Sequence, residues 1–167
     1  MLSRKVNNMD SDIAVLKGLT EHALKRLERT CDGLTEIEAN WKPIEEANNI
    51  LWILNHLGRI TNYSLPRIIK GNPKYIPEGW PEEYEKQGYS LEKALADIQT
   101  GKETVLEGLS NLESASLAEI IPLWGGPKRR DFGLFSYILE IAIHRGQIAA
   151  LRGNIKRRRE RDTSFLI

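Results

Sequence analysis

Apolar residues recur at helical spacing in four stretches of the chain. Ile13, Leu16, Ala23, Leu24, Leu27 and Cys31 form one stripe, with Ser11 or Asp12 as N-cap and Asp32-Gly33 as the stop. A second stripe, Ile50, Ile53, Leu54, Leu57 and Ile60, predicts a helix from about Ala47 past Pro66 toward Ile69. Pro66 removes a backbone donor and crowds the preceding turn, so it is expected to bend this helix or split off a short piece. Ser90 caps a third helix, whose stripe is Leu91, Ala94, Leu95, Ile98, Val105, Leu109 and Leu112, slightly weakened by Gly101 and Gly108. The fourth is read from an N-cap at Asp131 to about Arg158. Its residues Leu134, Tyr137, Ile141, His144, Ile148 and Leu151 alternate spacings of three and four, a seam that should face a bundle interior.

The intervening segments read as loops. Thr35 to Glu46 holds Trp41 and Pro43. Gly71 to Tyr89, dense in proline and glycine, predicts a long ordered loop anchored by Tyr75, Trp80 and Tyr84. Ile120 to Pro127, with Trp124, Gly125 and Gly126, predicts another. No internal repeat and no alternation longer than a few residues is present. The expectation is one all-α domain spanning 1–167, a four-helix bundle with long connections between its second and third and its third and fourth helices.

Composition agrees with a folded, membrane-free chain. Its 167 residues can bury a core without disulfides, and a hydrophobic fraction of 41% with mean hydropathy −0.41 holds no stretch long enough for a membrane span. The opening MLSRKVNNMDSD lacks the apolar core of a leader, so a cytoplasmic protein is expected. Arg and Lys number 24 against 23 acids. Arg152 to Arg161 alone carries six cations and one acid, which leaves 18 against 22 elsewhere, an acidic body with a basic tail at about 152–167. Cations ending a helix favour its dipole, and nucleic acid is not expected as a partner. The single Cys31 excludes an intrachain disulfide and a cysteine-rich zinc site and suits a reducing compartment, so any metal site must draw on histidine and carboxylates.

The chemistry-bearing candidates are few. His144 lies in the seam of the fourth helix, and Glu140 is one turn before it on the same face. His56 flanks the apolar stripe of the second helix. Together His56, Glu140 and His144 offer two imidazoles and a carboxylate, a set that suits a divalent transition metal with open positions; a satisfied Glu–His pair in the core or at its rim uses the same residues. His22 falls opposite its stripe and reads as solvated, and Cys31 as a small hydrophobe. Trp52 and Trp124 are the aromatics expected at a site mouth. There is no phosphate-binding glycine loop and no serine nucleophile elbow.

The run ANNILWILNHLGRI, ending in His56-Leu57, together with EIAIHRGQIAALRG, resembles the DinB-like superfamily. In that family a His-Leu pair on the second helix accompanies an H-x-x-x-H-x-G-Q-I type motif on the last, here Glu140 to Ile148. Trp41-Lys42-Pro43 also looks like the family's approach to helix two. The resemblance implies an up-down-down-up bundle, a homodimer, and a divalent metal (Zn, Ni, Mn or Fe) held by His56, Glu140 and His144. The chain departs from the motif at Glu140, where it has its first His. A carboxylate there resembles the thiol-dependent maleylpyruvate isomerase branch. By that likeness the protein would be a metal-dependent enzyme, a thiol-dependent S-transferase or a hydrolase, acting on a small electrophilic substrate with a low-molecular-weight thiol as cosubstrate. Gln147 and Arg145 would orient a ligand or substrate, and Gly146 would admit a neighbouring helix. The alternative is a metal-free dimeric bundle acting as a binding or stress-related interaction module.

Overall fold

The computed structural model describes residues 8–81 and 83–165. The beginning of the opening segment, expected not to be a leader, and the last two residues of the basic tail lie outside them. Four long helical units make the body: α1 (Asn8–Cys31); a composite of α3 (Ile50–Arg59), a π turn (Ile60–Ser64) and α4 (Leu65–Lys70); α5 (Leu91–Ser110); and α6 (Arg130–Arg161), with a short α2 (Glu36–Asn40) between the first two. α1 packs on α5 and α6, and the α3–α4 unit packs on the same two, so α1 and α3–α4 sit across the bundle from each other.

Side-chain pairings fix the directions. Thr30 meets Arg145 and Arg152, while Leu19 shares a groove with Phe135 and Leu139, so α1 and α6 run parallel. Along α3–α4, Asn55 meets Tyr89, Asn62 meets Asp97 and a Cβ at Gly108 would meet Ile69, so α5 runs parallel to it. His56 faces Glu140 and Ile68 faces Gly133, so α6 is antiparallel to it. The order is up-down-down-up, which explains the long connection between α4 and α5. A chain leaving Lys70 must return the length of a helix about 31 Å long before starting the parallel α5, which takes all of 71–90.

Several expectations are corrected. α1 is already helical at Asn8, so Ser11 and Asp12 lie inside it. The segment after α1 contains α2, opened by a capping box in which Thr35 Oγ1 accepts the Glu38 amide and Glu38 accepts the Thr35 amide; periodicity cannot signal so short a helix. The second helix begins at Ile50 rather than at Ala47, capped by Asn49, whose side chain accepts the Trp52 amide. Ile120 to Pro127 is largely an antiparallel hairpin, β1 (Ile120–Leu123) and β2 (Gly126–Arg129), turning at Trp124-Gly125. Asp131 does not cap α6: the helix starts at Arg130, and Asp131 in its first turn accepts the Phe132 amide and pairs with Arg129.

As expected, a short piece, α4, is set off at Pro66, with a π turn joining it to α3. The π turn before it, in which the Leu65 amide reaches back to Ile60, widens the backbone where the ring would otherwise strike the preceding turn. The unit ends at Gly71, whose φ of 61° is left-handed and costs a glycine little. Close approach also explains Gly101. A Cβ there would lie 2.6 Å from Thr61 Cβ and 2.7 Å from Asn62 Nδ2, so α5 seats directly on the π turn. Of the loop anchors, Tyr84 is buried, stacked by Trp80 and bonded to Asp97. The basic tail continues α6 and is used within the fold. Arg152 donates to the carbonyls of Thr30 (2.6 Å) and Asp32 (2.8 Å) at the end of α1, Arg159 pairs with Glu38 of α2, and Arg158 lies over Trp41. No helix among the described residues is long and apolar enough to cross a membrane.

Candidate metal centre

Because α3 and α6 run antiparallel, the flank of one stripe meets the seam of the other, and His56, Glu140 and His144 converge. One ligand atom from each lies within 4.8 Å of the other two. His56 Nε2 is 3.2 Å and His144 Nε2 3.7 Å from the same Glu140 Oε1, and the two imidazoles meet edge to face with centroids 4.9 Å apart. The side chains are 18%, 14% and 37% exposed, so the carboxylate is the member open to solvent. Trp52, one turn before His56, lies parallel to its ring at 5.5 Å and fixes its plane.

Protons alone satisfy this arrangement poorly. The Gln147 amide oxygen lies 2.8 Å from His144 Nδ1 and can only accept, so Nδ1 carries the hydrogen and, in the neutral ring, Nε2 presents a lone pair toward Glu140. The other tautomer, with the Gln147 amide turned over, would aim Nε2–H at Glu140 across 3.7 Å, longer than a hydrogen bond. One proton on His56 serves the 3.2 Å contact, but the lone pair of His144 still faces a carboxylate. A cation shared by the three atoms removes that conflict. The donors of a tetrahedral ion with ligands near 2 Å stand about 3.3 Å apart, and the spacings to Glu140 bracket that value. The residues present therefore fit a divalent metal of the borderline kind that imidazole and carboxylate share.

Other expected residues separate. Gln147 belongs to the cluster through His144. Arg145 does not: it turns to α1, where its Nε donates to Thr30 Oγ1 at 3.0 Å. Gly146 faces open space and admits no helix. His22 is exposed, as expected. Cys31 is buried, and burial pushes its thiol up to about 11.

A cleft of about 240 Å³ adjoins the cluster one turn away along both helices. Its polar wall is Arg59, Ser64, Arg67 and Tyr137; its apolar wall includes Leu123 and Trp124 of the hairpin. Trp124 packs against Tyr137 at 4.6 Å, which places it at the mouth as expected. Burial chiefly, with help from Glu140, holds the Tyr137 phenol above its ordinary range, opposed by a hydrogen bond with Ser64 and by Arg59 and Arg67. Periodicity alone missed Arg59 and Arg67. The signal was available in their eight-residue spacing about Tyr63.

An all-α bundle with a His-Glu-His cluster between antiparallel helices, beside a polar cleft, has the form of a small metal-binding helical protein. A family model for the DinB superfamily matches residues 19–148, a span that holds all three cluster residues, and the chain belongs to that superfamily. Its structure is similar to the crystal structure of a conserved protein from Enterococcus faecalis, with a TM-score of 0.65 and 18% identity, covering 83% of this chain and 94% of that one. That likeness speaks for the fold. The comparison with curated proteins gave no match.

Proposed function

We propose that the protein is a divalent-metal-dependent enzyme acting on a small electrophile, a thiol-dependent S-transferase or a hydrolase. The observation that carries this reading is the convergence of His56, Glu140 and His144, with the His144 lone pair set toward the shared centre by Gln147. When bound, such an ion supplies Lewis acidity that makes a thiol or a water molecule nucleophilic near neutral pH. The chain's own residues do the rest. Trp52 and Gln147 hold the two imidazole planes, Glu140 lowers the net charge of the centre, and the hairpin with Trp124 walls the approach. A cytoplasmic setting suits a single thiol kept buried and unreactive.

The homodimer is part of the same proposal. Phe132, Phe135, Leu139 and Ile143 make an exposed apolar stripe along α6, and Leu19 of α1 lines one groove with Phe135 and Leu139. Apolar surface of this extent on a helix pair fits a second copy of the chain.

Metal analysis of untagged protein tests the reading. After supplementation with Ni, Zn or Mn, mass spectrometry should find close to one metal per chain, lost in His56→Ala and His144→Ala with helicity retained. Less than about a tenth of a metal per chain refutes it, given the affinities of three-ligand sites. Turnover of a model electrophile that requires an added thiol then selects the transferase, and thiol-independent turnover the hydrolase.

A further inference from the structure

We infer that the cleft beside the cluster is a subsite for a small organic carboxylate, so that the substrate of this centre is an acid with an apolar body. The inference rests on the metal-centre reading for its role as a substrate site, and on independent geometry for its ligand. Among the described residues, both charged side chains of the cleft wall are arginines. Arg67 is held in place: its Nε donates to the Tyr75 carbonyl at 2.7 Å and its guanidinium lies 3.6 Å from the centroid of Tyr63. A stacked guanidinium with its Nε occupied keeps an Nη edge for the cleft it lines, the planar donor set that a carboxylate matches. Arg59 stands against the same Tyr63 ring at 5.4 Å, so the two cations flank one aromatic. Tyr137 adds a phenol kept protonated by its surroundings, a neutral donor beside them. Across from these groups, Leu123 and Trp124 offer an apolar wall on which the body of an acid can lie.

The orientation is set by the helices. Arg59 is one turn beyond His56 on α3 and Tyr137 one turn before Glu140 on α6, a rise of about 4.5 Å. An acid held at the Arg59 end of the cleft therefore presents the next few atoms of its chain toward the cluster, while Arg67 lies farther along the same helical unit. Charge drives capture and shape sets the reacting carbon.

Tryptophan fluorescence of the full chain, zinc-loaded and metal-free, tests this, because Trp124 lines the cleft. The probes are acetate, succinate and benzoate, the neutral amides acetamide and benzamide, and inorganic phosphate. At least one acid should give saturable quenching below about 10 mM. Its amide should not, and Arg67→Gln and Arg59→Gln should each weaken binding at least tenfold. Saturation by the amide as tight as by the acid, tighter binding of phosphate than of every carboxylate, saturation by none of the acids, or unchanged affinity in both arginine variants would overturn the inference. The acid and amide comparison uses the wild type and stands even where a variant folds poorly. Metal content measured on the same samples separates the two readings: a loaded centre with no acid binding removes only the carboxylate subsite, and arginine-dependent acid binding by a chain that takes up no metal removes only the metal centre.

Discussion

Replacing Gln147 with Leu isolates the hydrogen bond that fixes the His144 tautomer. Gln147 is exposed, and its amide oxygen is 2.8 Å from His144 Nδ1. In Gln147→Leu that nitrogen turns to water, the ring loses its hydrogen bond at Nδ1, and Nε2 no longer holds a guaranteed lone pair toward Glu140. Loss of such an outer partner costs about 10- to 100-fold in metal affinity, which is about 1.4–2.8 kcal/mol. The fold itself should be indifferent, within about 0.5 kcal/mol, because the position is on the surface and packs against nothing in the core. Competition against a chromophoric chelator for Zn and Ni gives the affinity, and thermal melting of the metal-free protein gives the stability. Gln147→Glu retains the acceptor and adds charge, so it should bind as tightly as the wild type or tighter. The reasoning fails if Gln147→Leu holds metal within about twofold of the wild type, or if its metal-free form loses as much stability as its metal affinity.

Three further outcomes rest on packing and burial. Gly101→Ala places a Cβ 2.6 Å from Thr61 Cβ, so about 1–3 kcal/mol of overpacking outweighs the helix gain; Gly146→Ala meets nothing and should gain about 0.5–1 kcal/mol. Melting temperatures should therefore move in opposite directions, and equal shifts would refute the seating of α5 on the π turn. Cys31 should resist a thiol reagent in the native state and react on unfolding. Its thiol titrates at about 11 when folded against an ordinary 9.0, so between those values the unfolded chain releases a proton that the folded one keeps, and stability falls as pH rises through that window; flat stability there in wild type relative to Cys31→Ala would refute it. Leu139→Glu should convert a dimer to a single chain by analytical ultracentrifugation, and a single-chain mass for the wild type at micromolar concentration would remove the dimer.

What the sequence disclosed tracks the range of the interactions involved. Helical stripes are local, and four of them led directly to the bundle. His56, Glu140 and His144 were legible because each sits on or beside a stripe, and a stripe says which way a side chain faces. The misses were features held by single contacts or by distant partners. α2 depends on one capping box and on Arg159 reaching Glu38 across 121 positions. The hairpin is two four-residue strands with a half-exposed pattern that no alternation rule detects. The family resemblance misplaces Arg145, and charge alone does not disclose what the basic tail does, because their roles are set by the carbonyls and hydroxyl that α1 offers at its end.

Pro66 shows how a local defect positions a site. In a regular α-helix the proline would strike the turn before it, and the helix would bend away from its neighbours. Spreading the backbone into one π turn makes room for the ring, and the inserted residue rotates the downstream part of the helix by about 100°. That rotation carries Ser64 to the Tyr137 hydroxyl and sets Arg67 into the same cleft as Arg59, while Thr61 and Asn62 turn inward against Gly101. A straight helix with Leu in place of Pro66 would lose the pressure that keeps the turn wide. Pro66 therefore acts on the cleft without touching it, and the glycine of α5 is shaped to the backbone that the proline requires.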